Sequence, residues 1–360
     1  IRSGTPAVGP FAAMDADLDN AQAALQWAQT HDEQTAASLT MAIGAHLALT
    51  GFGMAVPQHL IPADLPYEQL PCGQVSLWSW TIGRARSAHT IPVGREWADR
   101  AIAQARAHGD VPALCVALAS LADFLAPGSP EAARVFDELH TLDDPSIAPL
   151  ARSGAPIAEA SHRRKLGDFP AAIACVQRAL GLISETGVRN GIWIVQSWLV
   201  GFNLAAGRNA EVLADGLPLL EQLQGTRNET ALGICRRAVV TALLANDDLA
   251  RARPLAQVGW RQDAARIPLL AHAAWPDLLA LVAALESRPR AAAKLLGWGD
   301  AGWAGSGRER GATTRGLVQR AESIAADALG EETFAQLRRE GAHLGSHDVD
   351  AIAFAAEDIS

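Results

Sequence analysis

The sequence predicts an all-α protein, and three observations predict it. Apolar residues make up 49% of the chain, mostly Ala and Leu, and they recur at helical spacing rather than in runs of β-branched residues alternating with polar ones. Turn and cap residues punctuate the chain where helices have to end and restart. Those marks are periodic, with a step of about 40 residues, the length of one helical hairpin.

The unit is clearest in KLGDFPAAIACVQRAL, residues 165–180. Gly167 can leave one helix through a left-handed conformation, Asp168 can accept from the exposed N–H groups of the next, and Pro170 fits its first turn. Ala172, Ile173, Val176, Ala179, Leu180 and Ile183 then form one apolar stripe, and Gly187 offers a stop. The same turn recurs at Gly207, Asp247 and Ser287 in steps of 40 residues, and upstream at Gly128 and His89 in steps of 39. Five residues into each copy stand Gly94, Ala133, Ala172, Val212, Ala252 and Ala292, mostly small, as close helix approach requires. A lone hairpin cannot cover its apolar face, so stacked copies must bury it for one another. The fold class expected is therefore an α-solenoid of tetratricopeptide-like antiparallel helix pairs.

In order along the chain, residues 1–13 read as a linker remnant, and the start at Ile1 rather than Met suggests a piece of something longer. The solenoid is expected over 14–298. It opens with a helix pair at 14–51, passes through the loop-rich stretch 55–71, and is periodic from 72. WGDAGWAGSGRERGA suggests a Gly-rich exposed loop over 299–312. Helical signals resume over 313–360, where Thr313 or Thr314 could cap, and this helical segment is expected to close the solenoid.

DNAQAALQWA (19–28), GREWADRAIAQA (94–105), AAAKLLGWGDAGWA (291–304) and ALGEETFAQLRREGAHLG (328–345) together carry a family resemblance. In pattern and order the chain resembles the C-terminal tetratricopeptide-like repeat domain of bacterial STAND-type transcriptional regulators, which carry an ATPase and a winged-helix or LuxR-like DNA-binding domain upstream. The resemblance implies a regulatory arm that binds an inducer or partner and controls ATPase and DNA-binding domains of the same polypeptide. The chain itself has no Gly-x-x-x-x-Gly-Lys-[Ser/Thr] phosphate loop.

Composition narrows the function further. A net charge of −9 argues against direct nucleic-acid binding by this segment. No apolar stretch reaches the roughly 18 residues of a membrane span and no signal peptide is evident, so no membrane association and a cytoplasmic location are expected. Cys72, Cys115, Cys175 and Cys235 lack any Cys-x-x-Cys pairing and suggest buried, reduced thiols. Asp15, Asp17 and Asp19 open like a calcium loop, but Asn20 and Gln26 stand where its Gly and bidentate Glu belong. His343 and His347 have a helical metal-ligand spacing interrupted by Gly345 and Ser346. Asp143–Asp144 and Asp247–Asp248 lack the further carboxylates a metal-dependent lyase needs, and Asn228-Glu-Thr230 matches a glycosylation acceptor without any sign of secretion. With no catalytic elbow or paired carboxylates, the expectation is a non-enzyme with no catalytic residue, metal or cofactor.

Binding is the remaining chemistry, and the first helix of each pair is expected to line a concave face. That reading selects Ile157, Ser161, Arg164, Lys165, Trp193, Ser197, Arg237 and Thr241 as ligand-binding candidates for a small-molecule or peptide effector. Ile194 and Ile234 lie near them, and His162-Arg163-Arg164-Lys165 with Arg236-Arg237 could form a patch for an anionic ligand, against the bland reading of solvated helix ends. Trp78, Trp80, Trp193, Trp198 and Trp275 stand on the same helices, where core packing competes with ligand stacking. Two other function classes fit the repeat: a stand-alone scaffold for protein–protein interaction, and the regulatory arm of a signalling enzyme such as a nucleotide cyclase.

Overall fold

A computed structural model describes residues 17–50, 67–84, 90–226, 228–266, 268–306 and 310–359. The linker remnant 1–13, most of the stretch 55–71 and the first repeat turn at His89 lie outside them. Among the described residues there are 17 helices and no strand. They are α1 (Leu18–His31), α2 (Glu33–Thr50), α3 (Cys72–Arg84), α4 (Thr90–His108), α5 (Val111–Phe124), α6 (Pro130–Thr141), α7 (Pro149–Lys165), α8 (Phe169–Glu185) and α9 (Arg189–Ala205). There follow α10 (Asn209–Leu223), α11 (Glu229–Ala245), α12 (Leu249–Arg266), α13 (Pro268–Leu285), α14 (Pro289–Ser306), α15 (Ala312–Leu329), α16 (Glu331–Gly341) and α17 (Ser346–Ala353).

The periodicity is written into the backbone. Gly128, Gly167, Gly207, Asp247 and Ser287 all have positive φ, at 75°, 81°, 73°, 60° and 59°. Helices restart two residues beyond each, at Pro130, Phe169, Asn209, Leu249 and Pro289. In four of the five the chain closes with the same reversed hydrogen bond: Asp168 N to Arg163 O, Arg208 N to Asn203 O, Asp248 N to Leu243 O and Arg288 N to Ala283 O, each 2.9 Å. This bond pairs carbonyls that the end of a helix would otherwise leave without donors. The turn at Gly128 differs, with Ser129 N bonding to Ala126 O. Asp168 caps its helix as the sequence suggests, accepting from Ala171 N at 3.2 Å, and Ser129 and Asp248 do the same, from Ala132 N at 3.1 Å and Arg251 N at 3.2 Å.

The chain divides into two compact units, residues 1–202 with 225–231, and residues 203–224 with 232–360. In the first unit α3, α4 and α5 pack in chain order, and α5 packs against both α3 and α7, so that successive hairpins cover one another. Trp78, Trp97, Leu118, Leu121, Val135 and Ala158 share its larger core, with Trp97 edge-on to Trp78. A second cluster joins Ala160, Val176, Ala179, Ile183 and Val195 across α7, α8 and α9, with Leu180 packed against it. The apolar stripe predicted for α8 is this face. In the second unit, α12 to α14 pack in order, α15 lies against α13, and α16 lies against α14.

Three expectations are corrected. Ala133 is exposed and Ala132 takes its buried place, because the stripe of α6 is turned relative to α8 after the differing Gly128 turn; Val212, the larger departure in sequence, is fully buried. The loop expected over 299–312 is helix as far as Ser306. Packing overrides the propensity of its glycines: a Cβ at Gly299 would stand 2.8 Å from the Asp277 carboxylate, so glycine there admits α13 rather than ending α14. Neither Thr313 nor Thr314 caps α15, which starts at Ala312 after Gly311; the Thr313 hydroxyl donates to Leu204 O at 3.4 Å.

Candidate functional site

The eight candidate residues fall into both units. Ile157, Ser161, Arg164, Lys165, Trp193 and Ser197 belong to the first, Arg237 and Thr241 to the second.

In the first unit, α7 and α9 present a shared face. Ile157 packs against the same cluster as Trp198, Leu199 and Phe202. The Arg164 guanidinium lies 5.8 Å from the centre of the Phe202 ring, and Arg189 lies 5.8 Å from Trp193. Arg164 and Lys165 are exposed at the end of α7, Ser161 and Trp193 are half-buried, and Leu166 is 57% exposed. A guanidinium over an aromatic ring, beside an ammonium and an exposed aliphatic side chain, suits an anion with an apolar body. Ser197 does not contribute: it is fully buried and its hydroxyl donates back to Ile194 O at 2.7 Å. His162 also turns away from the basic run, with Nε2 2.6 Å from Ala122 O and the ring edge-on to Phe136.

Beside this face stands an acidic centre that the sequence did not single out. Glu159 is largely buried, with His140 Nε2 and Arg163 at 3.3 Å and Arg178 at 3.6 Å. Burial alone would raise its carboxyl, but hydrogen bonds from His140 and Arg163 outweigh that and hold it below the usual carboxylate range. Glu159 therefore absorbs Arg163, which also approaches Asp168 at 3.7 Å.

In the second unit the candidates are committed inward. Arg237 Nη1 donates to Asp263 Oδ2 at 2.7 Å, and Trp275 Nε1 donates to the same oxygen at 2.8 Å. Arg236 Nη1 reaches Gln262 Oε1 at 2.8 Å, and the Thr241 hydroxyl turns back to Arg237 O at 2.7 Å. These bonds pin α11, α12 and α13 together. Of the five tryptophans on these helices, Trp78 and Trp275 are fully buried, while Trp80, Trp193 and Trp198 are half-buried.

The thiols are unsuited to nucleophilic work. Burial pushes Cys115 and Cys175 up to about 11 and Cys235 to about 12, so little thiolate exists at neutral pH. All four cysteines are free. Among the described residues no group of three or more His, Cys, Asp or Glu is placed to hold a metal ion, and no helix is long and apolar enough to cross a membrane. His343 precedes the Gly345 cap of α17 and His347 follows it, so the two do not share a helical face. Asp143 pairs with Arg152 at 2.7 Å, Asp144 caps Ser146 N at 2.7 Å, and Asn228 caps α11 while donating to Asn190 O at 3.1 Å. Neither a family model nor a curated protein matches the chain.

Proposed function

We propose that this protein is the non-catalytic sensor and interaction arm of a multidomain bacterial transcriptional regulator, acting in the cytoplasm. Its effector is an anionic small molecule or acidic peptide held on the α7–α9 face. The observation that carries this reading is the pair of cation-over-ring contacts, Arg164 on Phe202 and Arg189 on Trp193, in an array of helical repeats. The family resemblance of the sequence supplies the rest: an upstream ATPase and a DNA-binding domain as covalent partners, controlled when the effector shifts the population of the active state. The net charge of −9 supports leaving DNA contact to another domain.

A thermal-shift screen of anionic metabolites and acidic peptides tests the binding. A true effector present at about 100 times its Kd adds roughly 2.7 kcal/mol to the unit it binds, a shift of several degrees. Arg164→Glu is expected to abolish that shift while lowering the melting temperature without effector by only a few degrees, because the fold loses one exposed cation-over-ring contact and a favourable charge at the end of α7. A screen in which no compound raises the melting temperature, or an effector whose shift survives Arg164→Glu, contradicts the site. Reading the gene upstream of Ile1 tests the context: a phosphate loop and a basic winged-helix pattern support the regulator, a start codon immediately before Ile1 the scaffold.

A further inference from the structure

Residues 346–359 are joined to the rest of the second unit by a series of polar contacts. α17 is short, and among its described side chains only Val349 and Ala353 are fully buried. Arginines supply a series of polar contacts to the segment. Arg261 of α12 grips Asp350 with two parallel bonds, Nε to Oδ1 at 2.9 Å and Nη2 to Oδ2 at 3.1 Å. The Phe354 ring is approached by two guanidinium groups, those of Arg253 and Arg261, each 5.9 Å from the ring centre. Arg288, itself buried, reads the main chain: Nη1 donates to Ile352 O at 2.8 Å and Nη2 to Ala353 O at 2.6 Å. Finally the Asp358 carboxylate closes the N-terminus of α14, accepting from Arg290 N and Ala291 N at 3.0 Å each.

The supporting side is prepared for this. Glu286 pairs with Arg253 and holds Arg288 through Nε at 3.1 Å and Nη2 at 2.5 Å, so both arginines are fixed in place by a neighbour outside the strap. Two carboxylates, one aromatic ring and two backbone carbonyls, read in sequence by arginines and a helix N-terminus, are the features by which a protein surface recognises a short acidic peptide.

We propose that the surface formed by Arg253, Arg261, Arg288 and the start of α14 is a peptide-docking site for acidic–aromatic segments of the pattern Asp-x-x-x-Phe-x-x-x-Asp, and that residues 346–359 occupy it in cis. A partner carrying this pattern binds by displacing the strap, so the site is closed at rest. The site lies wholly within the second unit and does not depend on the regulator reading or on an effector at α7–α9.

The test uses the full chain and a fluorescein-labelled peptide of residues 345–359. Substituting Asp350→Asn, Phe354→Ala and Asp358→Asn together weakens the strap of the intact protein. The substituted chain is expected to bind the peptide at least tenfold tighter than the wild type, whose site is filled. Binding should weaken severalfold between 0.05 and 0.5 M salt. A peptide bearing the same three substitutions should bind neither chain. Equal binding to both chains, or no binding to a substituted chain that keeps its helical circular dichroism, overturns the proposal. Loss of helical signal on substitution overturns it too, since the segment would then be part of the core rather than a displaceable strap. An effector that binds at α7–α9 in the same preparation leaves the function reading standing whichever way the peptide behaves.

Discussion

Gly297→Ala is expected to cost the second unit about 3 kcal/mol and to lower its melting temperature by roughly 10 °C. A Cβ at Gly297 would stand 1.8 Å from the Arg338 carbonyl oxygen, and one at Gly341 would stand 1.9 Å from the Lys294 carbonyl oxygen. α14 and α16 thus meet backbone to backbone, each presenting a glycine to a carbonyl of the other. A backbone carbonyl cannot rotate aside as a side chain does, so the helices must separate. The gain in helix propensity from Gly to Ala, about 1 kcal/mol, is too small to offset this. Gly341→Ala should cost a similar amount. The double substitution should cost less than the sum, because a separation forced by one methyl makes room for the other. Thermal and chemical denaturation followed by circular dichroism measure all three, and a melting temperature for Gly297→Ala within 2 °C of the wild type contradicts the close approach.

Asp277→Ala is the second large effect, again about 3 kcal/mol or more. The Asp277 side chain has no exposed surface and accepts three hydrogen bonds at one point, from Arg310 Nη2 to Oδ1 and Nε to Oδ2, both at 2.9 Å, and from Trp303 Nε1 to Oδ2 at 2.9 Å. Arg310 continues to Asp300 at 2.8 Å, and Asp300 to Arg338 at 2.7 Å, so one carboxylate organises α13, α14 and α16 through two arginines. Burial pushes the Asp277 carboxyl up, and its bonds to Arg310 only partly counter that. The sign follows: a carboxyl raised in the fold contributes stability below its unfolded value and loses it as pH rises through the folded one, so the wild type pays some stability at neutral pH to keep Asp277 ionised. Replacing Asp277 with Ala removes that cost but leaves a partly buried guanidinium and an indole N–H without their acceptor, and the second effect is the larger. Asp277→Asn should recover part of the loss, since its amide oxygen can still accept. Equal stability of Asp277→Ala and the wild type at pH 7 contradicts this ordering.

The repeat was legible because its signals are local. A Gly, Asp or Ser that can adopt positive φ, followed by a cap and then an apolar stripe, is chemistry confined to a few neighbouring positions, and Gly167, Asp168 and Pro170 behave as that chemistry requires. What failed depended on distant partners. The glycines of 299–306 look like a loop until Pro276 and Asp277 of α13 are brought against Gly299. The candidate site was legible only as a set of helix positions. Helical spacing placed Arg164 and Ile157 beside α9, but nothing local announces that the hydroxyls of Ser197 and Thr241 bond to their own helix, or that Asp263 claims Arg237. The Asp350, Phe354, Asp358 pattern is visible in the sequence, yet it acquires meaning only once Arg253, Arg261 and Arg288 stand opposite it.

The claim on which the rest depends is that each hairpin is one interchangeable period whose apolar cover comes from its neighbours. Excising one full period, residues 169–208, joins Asp168 to Asn209 with a cap and a helix start in register, whereas excising 169–188 removes α8 alone and leaves its neighbours with an uncovered stripe. Far-ultraviolet circular dichroism through a thermal melt separates the two. The full-period deletion should keep wild-type helicity per residue and a cooperative transition, and the half-period deletion should lose both; equal loss in the two, or survival of the half-period deletion alone, contradicts the account.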